Sequence, residues 1–232
     1  MRTLLQLNTS LYSNEGQSSQ LTQRYVDAWS ARNPNGAVIV RDLAADPVPH
    51  LSAERFAAFN TAPAARSGEQ QLVVDYSDRL IEELRRADTV VIGLPMYNFG
   101  VPSTLKAYFD HVARANVTFK YTEAGPVGLL TGKQVIVVAT RGGAYAGTPL
   151  DSQTDYVRQF LGFIGMKDSV PPADAYTVEK MRKAGALILA QDALKGARIL
   201  VVEDEAFIAL DLVMAIEDAG AIPVGPAATI AE

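Results

Sequence analysis

The sequence predicts an α/β protein built on a doubly wound parallel sheet with helices on both faces. Three short segments are apolar almost throughout, a pattern typical of strands buried on both sides of a parallel sheet: residues 4–7, 89–94 and 134–139. Segments with apolar residues at helical spacing alternate with these strands, as in chains of β-α-β units. Ligands of such sheets bind beyond the carboxyl ends of the strands, so functional residues are expected in the loops that follow them.

The remaining elements follow in a regular order. A first helix is predicted over residues 18–31, with Ser18 or Ser19 in the position of an N-cap. A second short strand is expected at residues 37–40. Further helices are predicted by their apolar period at residues 72–86, 102–115 and 155–164.

The composition excludes several classes of function. Twenty-one basic and 26 acidic residues give a net charge of -5, which argues against a nucleic-acid or anionic-membrane partner. The absence of cysteine excludes disulfides, thiolate nucleophiles and iron–sulfur ligation. His50 and His111 lack metal-ligand spacing and are predicted to be surface or packing residues, so no metal site is predicted. No export signal and no membrane-spanning apolar run is recognised, so a cytoplasmic protein is expected.

Three loops after predicted strands carry candidate chemistry. The loop from Asn8 to Ser19 ends at a helix N-terminus, where serine hydroxyls and free N–H groups bind a phosphate monoester. An N-cap behind an ordinary loop is the alternative. Neither a GxGxxG fingerprint nor a triphosphate-binding loop is present.

The other two loops are suited to a flat heterocycle. The loop from Pro95 to Pro102 offers two aromatic side chains and Asn98, which supplies both a donor and an acceptor. The alternative is that its aromatics fill the junction between helix and sheet. The two glycines in the segment from Thr140 to Gly143 allow close approach of a ligand to the backbone, although a plain turn explains them equally well.

Longer strings in register closely resemble the FMN-dependent NADH-azoreductases, which belong to the NAD(P)H:quinone oxidoreductase branch of the flavodoxin fold. The strings are PMYNFGVPSTLKAYFDHVARANVTFKYTEAGP (95–126), TRGGAY (140–145), FLGFIG (160–165) and RDLAADPVP (41–49), together with the spacing of Ser10 and the loop 16–18. The resemblance covers about residues 1–190. It implies a flavodoxin-like sheet and bound FMN.

The resemblance also implies a set of site residues. Those matching the family's phosphate site are Ser10, Gly16, Gln17 and Ser18, and those matching its isoalloxazine site are Met96, Tyr97, Asn98, Phe99, Thr140, Arg141, Gly142 and Gly143. Tyr121 and Phe163 match aromatics on the substrate side, although the residues alone place Phe163 in the core. Gly16 stands where the family often has serine, which removes one phosphate hydrogen bond, and Thr140 replaces a common serine but keeps the hydroxyl.

The activity implied is an FMN-dependent NAD(P)H oxidoreductase that reduces quinones and azo compounds by a ping-pong two-electron mechanism. NADH or NADPH is the donor, and a homodimer with the flavin at the subunit interface is expected. Because the flavin carries the chemistry, no catalytic side chain is assigned. A flavodoxin-like electron carrier remains an alternative, although such carriers usually have a strongly acidic docking face, for which a net charge of -5 gives little support.

Residues 197–232 resemble the first β-α-β of a response-regulator receiver domain. A strand at 199–202, the acidic residues Glu203, Asp204 and Glu205, a helix at 207–219 and a strand near 222–224 make up this pattern. The strand that carries the phosphoacceptor aspartate is missing, so we expect a truncated segment attached to an oxidoreductase domain at 1–196, with Glu203 and Asp204 a vestigial metal pair. The segment either adds its strands and helix to the main sheet, forms a loosely docked tail or is a fusion scar. A signalling protein that works through this segment is the third functional hypothesis, after the reductase and the electron carrier.

Overall fold

The computed structural model describes residues 1–142, 145 and 148–166, and also the backbone of three later strands. The strands are β1 (Thr3–Asn8), β2 (Ala37–Asp42), β3 (Thr89–Pro95), β4 (Phe119–Thr122), β5 (Gly125–Gly128), β6 (Gln134–Thr140), β7 (Leu187–Ile188), β8 (Arg198–Val202) and β9 (Ile222–Ala227). The helices are α1 (Gln17–Arg32), α2 (Ala53–Asn60), α3 (Gly68–Arg86), α4 (Ser103–Val112) and α5 (Ser152–Ile164). Short 3-10 turns lie at Ser13–Glu15 and Pro63–Ala65.

The central sheet has the strand order β2-β1-β3-β6-β7. β1 pairs in parallel with both β2 and β3, and β3 pairs in parallel with β6, so the predicted parallel arrangement is confirmed. β7 differs, because it runs antiparallel to β6 at the edge of the sheet. A short antiparallel edge strand on a parallel sheet is a common departure, and the apolar pattern of the central strands carries no information about it.

Side chains alternate between two apolar layers along the buried strands. Leu4 on β1 packs with the α1 side chains Leu21, Val26 and Trp29 on one face of the sheet. Its neighbour Leu5 belongs to the larger core on the opposite face, formed with residues of α3, α4 and α5 that include Leu80, Ile81, Leu105, Phe109 and Leu161. Helices therefore cover both faces, as predicted.

Helix starts are set by capping interactions that apolar periodicity does not reveal. α1 begins at Gln17 with Gly16 as its N-cap, so the prediction that Ser18 or Ser19 caps this helix was wrong, and both serines lie in its first turn. α3 starts earlier than predicted because Ser67 and Gln70 form a capping box. α5 also starts earlier, because the side chain of Asp151 accepts a hydrogen bond from the backbone N–H of Thr154.

The two histidines occupy the structural roles that their spacing predicted. His50 is exposed, whereas His111 is fully buried on α4. Its ring makes edge contacts with Phe59 and Tyr76, and its Nδ1 lies 2.9 Å from the carbonyl oxygen of Ala107. Burial lowers the pKa of His111. Among the described residues no group of His, Asp and Glu side chains is arranged to hold a metal ion.

The C-terminal strands form a small sheet of their own. β8 and β9 pair in parallel with each other, in agreement with the β-α-β pattern predicted there. In the part of the chain that the structure describes, they are not hydrogen-bonded to the five-stranded sheet. Glu203, Asp204, Glu205 and the predicted helix at 207–219 lie outside the described residues, and the boundary at residue 196 stays a prediction. No helix within the described ranges has the length and hydropathy needed to span a bilayer.

Candidate functional site

The loops after β1, β3 and β6 meet at the carboxyl edge of the sheet. The strand order reverses at β1, since β2 follows it on one side and β3 on the other. Such a switch point opens a crevice that binds ligands in doubly wound sheets. The hydroxyl of Thr9 donates to the carbonyl oxygen of Gly93 at 2.6 Å, and the N–H of Met96 donates to the carbonyl oxygen of Thr140 at 3.0 Å. All three predicted loops therefore line one site.

The first loop presents hydrogen-bond donors that no described residue uses. The hydroxyls of Ser18 and Ser19 are buried in the first turn of α1 and have no hydrogen-bond partner among the described residues. No side chain caps the N-terminus of this helix. Buried polar groups are almost always paired, so unpaired donors at a helix N-terminus suit a bound anion. This arrangement fits a phosphate monoester.

Small residues give this anion site its shape. A side chain at Gly93 would lie 3.3 Å from the backbone of Ser18, which is tighter than most contacts of this kind. A Cβ atom at Gly16 would lie 2.0 Å from the hydroxyl oxygen of Ser10. The Ser10 hydroxyl thus occupies the space that a side chain at position 16 would need. The glycine at this position, noted above as a departure from the family, lets Ser10 point into the loop.

The second loop is a tight turn with unusual backbone angles. The N–H of Tyr97 and the carbonyl oxygen of Gly100 are hydrogen-bonded at 3.2 Å, and the reciprocal pair is bonded at 3.0 Å. Asn98 and Phe99 both have positive φ angles, 50° and 60°, as the two central residues of a type I′ turn do. This conformation costs a residue such as phenylalanine about 1–2 kcal/mol. The turn exposes Phe99 to solvent beside the switch point.

The same turn contacts the phosphate loop. The hydroxyl of Tyr97 lies 3.3 Å from the hydroxyl of Ser10 and accepts a hydrogen bond from the N–H of Leu11 at 3.2 Å. The structure therefore brings the predicted phosphate and isoalloxazine residues into direct contact.

The third loop is fixed by a buried ion pair. Nη2 of Arg141 lies 2.7 Å from Oδ1 of Asp151 and 2.9 Å from the hydroxyl of Thr154. Burial alone would raise the pKa of Asp151, but the hydrogen bonds from Thr154 and the charge of Arg141 together lower it. Nε and Nη1 of Arg141 are buried without a partner among the described residues. Gly142 is exposed next to this pair, and Gly143 lies outside the described residues.

Tyr121 and Phe163, the two predicted substrate-side aromatics, belong to one cluster. The ring of Phe119 lies 5.5 Å from that of Tyr121 and 4.4 Å from that of Phe163. Tyr121 is exposed on the hairpin of β4 and β5, whereas Phe163 is half-buried against the larger core. Phe163 is thus at the margin of the core, and the substrate-side role of both rings stays a prediction.

Sequence reasoning missed the N-cap and first turn of α5, residues 151–154, whose side chains contact both the second and the third loop. The only signal was an aspartate ahead of a predicted helix, which indicates a cap and says nothing about distant partners.

Comparisons with known proteins agree with this geometry. The model of a family described as having a flavodoxin-like fold matches residues 2–195. An FMN-dependent NADH:quinone oxidoreductase of Cellvibrio japonicus is 56% identical over 168 residues, which cover 72% of this chain and 84% of the relative. A protein of the same name from Alcanivorax borkumensis is 51% identical over 165 residues, 71% of this chain and 83% of its own.

Solved structures show the same architecture. The crystal structure of an azoreductase from Bacillus anthracis has a TM-score of 0.67 at 25% identity and matches 79% of this chain and 97% of its own. An FMN-dependent NADH-azoreductase of the same species, solved in complex with FMN, has a TM-score of 0.68 at 24% identity and covers 80% of this chain and 98% of its own. At 24% identity, the match to the FMN complex is evidence for the fold alone.

Proposed function

The chain belongs to the flavodoxin-like family that includes the FMN-dependent NADH:quinone oxidoreductases, and we propose that it is a cytoplasmic enzyme of that kind, reducing quinones and azo compounds. The observation that carries this proposal is the pair of unpaired hydroxyls, those of Ser18 and Ser19, at a helix N-terminus without a side-chain cap. Ser10 lies in the same loop, and its hydroxyl contacts the strained aromatic turn at the switch point. NADH is the donor in the names of the relatives.

The described residues fit FMN at both of its ends. Ser10, Gly16, Gln17 and Ser18 would hold the phosphate, because they combine hydroxyl donors with the free N–H groups of α1. The isoalloxazine ring would be held by Met96, Tyr97, Asn98 and Phe99 of the second loop and by Thr140, Arg141 and Gly142 of the third, two loops that the structure brings together. We propose the same role for Gly143. When bound, FMN supplies the two-electron chemistry that links NADH to a quinone or azo acceptor.

The protein's own contribution is binding, orientation and exclusion of water. Arg141 lies in the third loop, and its Nε and Nη1, which have no partner among the described residues, are donors that would favour the negative charge of a reduced flavin. Asn98 offers an amide to the edge of the heterocycle. Because the flavin can serve both half-reactions at one position, we propose a ping-pong sequence in which the nicotinamide product leaves before the acceptor binds.

The proposal is tested by the visible absorption of the purified protein. We expect a flavin spectrum that bleaches when NADH is added without oxygen and returns when a quinone follows. A flavin spectrum that NADH leaves unchanged would favour the electron-carrier alternative. A protein that neither contains nor takes up FMN would contradict the proposed function.

We further propose that the active form is a homodimer. Large apolar side chains are exposed around the site, with exposed fractions of 58% for Leu11, 69% for Tyr12, 55% for Phe99 and 51% for Leu150. A cluster of exposed apolar side chains marks an interaction surface, and a second copy covering it would also shield the flavin from water. Light scattering should give twice the chain mass, and Tyr12→Glu should shift it towards the monomer. A monomeric wild-type protein with full activity would contradict the dimer.

A further inference from the structure

Gln153 spans both ends of the second loop with one side chain. It lies in the first turn of α5 and is fully buried. Its Nε2 donates to the carbonyl oxygens of Pro95 and Gly100, each at 2.9 Å. The carbonyl of Pro95 lies where the loop begins at the end of β3, and that of Gly100 closes its turn. A single amide therefore fixes the distance between the residues where the loop leaves β3 and where it completes the turn.

The neighbours of Gln153 contact the second loop and also the third loop. The hydroxyl of Ser152 donates to the carbonyl oxygen of Phe99, inside the turn. Asp151 holds Arg141 of the third loop, and Thr154 adds a second contact to the same guanidinium. Together these four consecutive residues, the N-cap Asp151 and the first three residues of α5, contact both of the loops assigned to the isoalloxazine ring, and we call them the α5 clamp.

The backbone of the second loop needs such support. Phe99 has a φ of 60°, which phenylalanine adopts only at a cost in energy, and it follows Asn98 with a φ of 50°. Strained backbone persists only where the surrounding structure over-determines it, and it concentrates at binding sites. The contacts from Ser152 and Gln153 end on Phe99 and on the residue after it. The hydrogen bonds of the α5 clamp therefore end at the strained part of the turn.

The orientation of the Gln153 amide agrees with this role. Its Oε1 is buried and has no hydrogen-bond partner among the described residues. A buried amide oxygen without a partner costs free energy, but the reversed amide would place that oxygen against two carbonyl oxygens and lose both donations. Packing alone gives no reason for a glutamine at this position.

We propose that Gln153 is a positioning residue for the flavin site, which holds the strained turn of Tyr97–Gly100 in the shape that binds the isoalloxazine ring. Asp151, Ser152 and Thr154 assist it. The inference rests on the proposed function in so far as the bound ring is that of FMN. Gln153 itself acts through the carbonyl groups of Pro95 and Gly100.

The first test compares two glutamine-to-methionine variants. Gln153→Met keeps the length and bulk of the side chain but removes both donors. Gln23→Met is the matched control, because Gln23 is an exposed helical glutamine on α1. In titrations of the apoprotein with FMN, followed by flavin fluorescence, we expect Gln153→Met to weaken binding about 10-fold or more, the size expected for lost buried hydrogen bonds. We expect Gln23→Met to leave the affinity unchanged, and equal affinities for both variants would overturn the proposal.

A second test makes Gln153→Met in a Phe99→Gly protein, and it distinguishes positioning of the turn from a general packing role. Phe99→Gly gives the turn the sequence Asn-Gly, which adopts a type I′ turn without strain. The turn then keeps its shape without the clamp, so Gln153→Met should weaken FMN binding by less than about twofold in that background. The same fold-change in both backgrounds would show that Gln153 acts only through overall packing, and would overturn the proposal.

A third readout does not involve the flavin. The N–H groups of Tyr97 and Gly100 are hydrogen-bonded across the turn, so their hydrogen exchange reports its stability. In the apoprotein we expect Gln153→Met to speed both exchange rates about 10-fold and Gln23→Met to leave them unchanged. Unchanged exchange in Gln153→Met would overturn the inference. If the wild-type protein binds no FMN but Gln153→Met still exchanges faster than the wild type, that result would contradict the proposed function and leave the role of Gln153 in place.

Discussion

Ser18→Asp should bind FMN about 1,000-fold more weakly than Ser18→Asn, because the carboxylate would face the phosphate of the cofactor. Ser18 is fully buried in the first turn of α1, and its hydroxyl has no protein partner among the described residues. Two like charges about 4 Å apart at a protein surface repel by about 4 kcal/mol, which corresponds to this loss of affinity. Fluorescence titration of the two apoproteins with FMN measures the difference.

The comparison isolates charge from shape and from folding. Aspartate and asparagine have nearly the same size, so any disturbance caused by bulk beside Gly93 affects both variants. A carboxylate at a helix N-terminus is favourable for the helix itself, so the aspartate does not weaken α1 through its dipole. Riboflavin, which lacks the phosphate, should bind both variants equally. Equal FMN affinities for both variants would place the phosphate elsewhere and contradict the site.

The sequence predicted the parts of the site that depend on contiguous patterns. β1, β3 and β6 each contain a largely apolar run because most of their residues are buried in the sheet, and this run alone indicates where their carboxyl ends lie. Parallel pairing then brings the three following loops together without further information. The residues that matched the family in these loops meet in the structure, including Ser10 and Tyr97.

Other elements carry no such pattern. The hairpin of β4 and β5 contains Gly125, Pro126 and Gly128 and is largely exposed, so neither alternation nor apolar content distinguishes it from a loop. α2 is short, and only Ala58 in it is buried. These elements form because of the tertiary structure around them. Their positions, and the place of Tyr121 on the hairpin, could not be read from local periodicity.

The role of Gln153 lies furthest from local sequence information. Its partner Pro95 is 58 positions away along the chain, and the choice of that partner depends on how α5 packs against the sheet. A glutamine in the first turn of a helix is unremarkable by propensity. Only the backbone angles of Asn98 and Phe99 show that this region needs external support, and those angles are visible only in three dimensions.

Gly128→Ala should lower the free energy of unfolding by about 4 kcal/mol or more, the largest effect on stability that we expect from a single methyl group in this fold. A Cβ atom at this position would lie 2.0 Å from the backbone nitrogen of Gly165 and 2.3 Å from the carbonyl carbon of Ile164. These are backbone atoms, so no side-chain rotation relieves the overlap. Gly165 has a φ of 106° at the end of α5, and it can move only if the helix end moves with it.

Urea unfolding of Gly128→Ala and Gly68→Ala measures this effect against a matched control. A Cβ atom at Gly68 meets no atom within 4 Å, and the residue opens α3. Because alanine favours the helix over glycine, Gly68→Ala should be neutral or more stable by up to about 1 kcal/mol. A loss below about 1 kcal/mol for Gly128→Ala would mean that β5 and α5 separate at little cost. The close approach that joins the hairpin of Tyr121 to the helix of the α5 clamp would then not be a rigid part of the site.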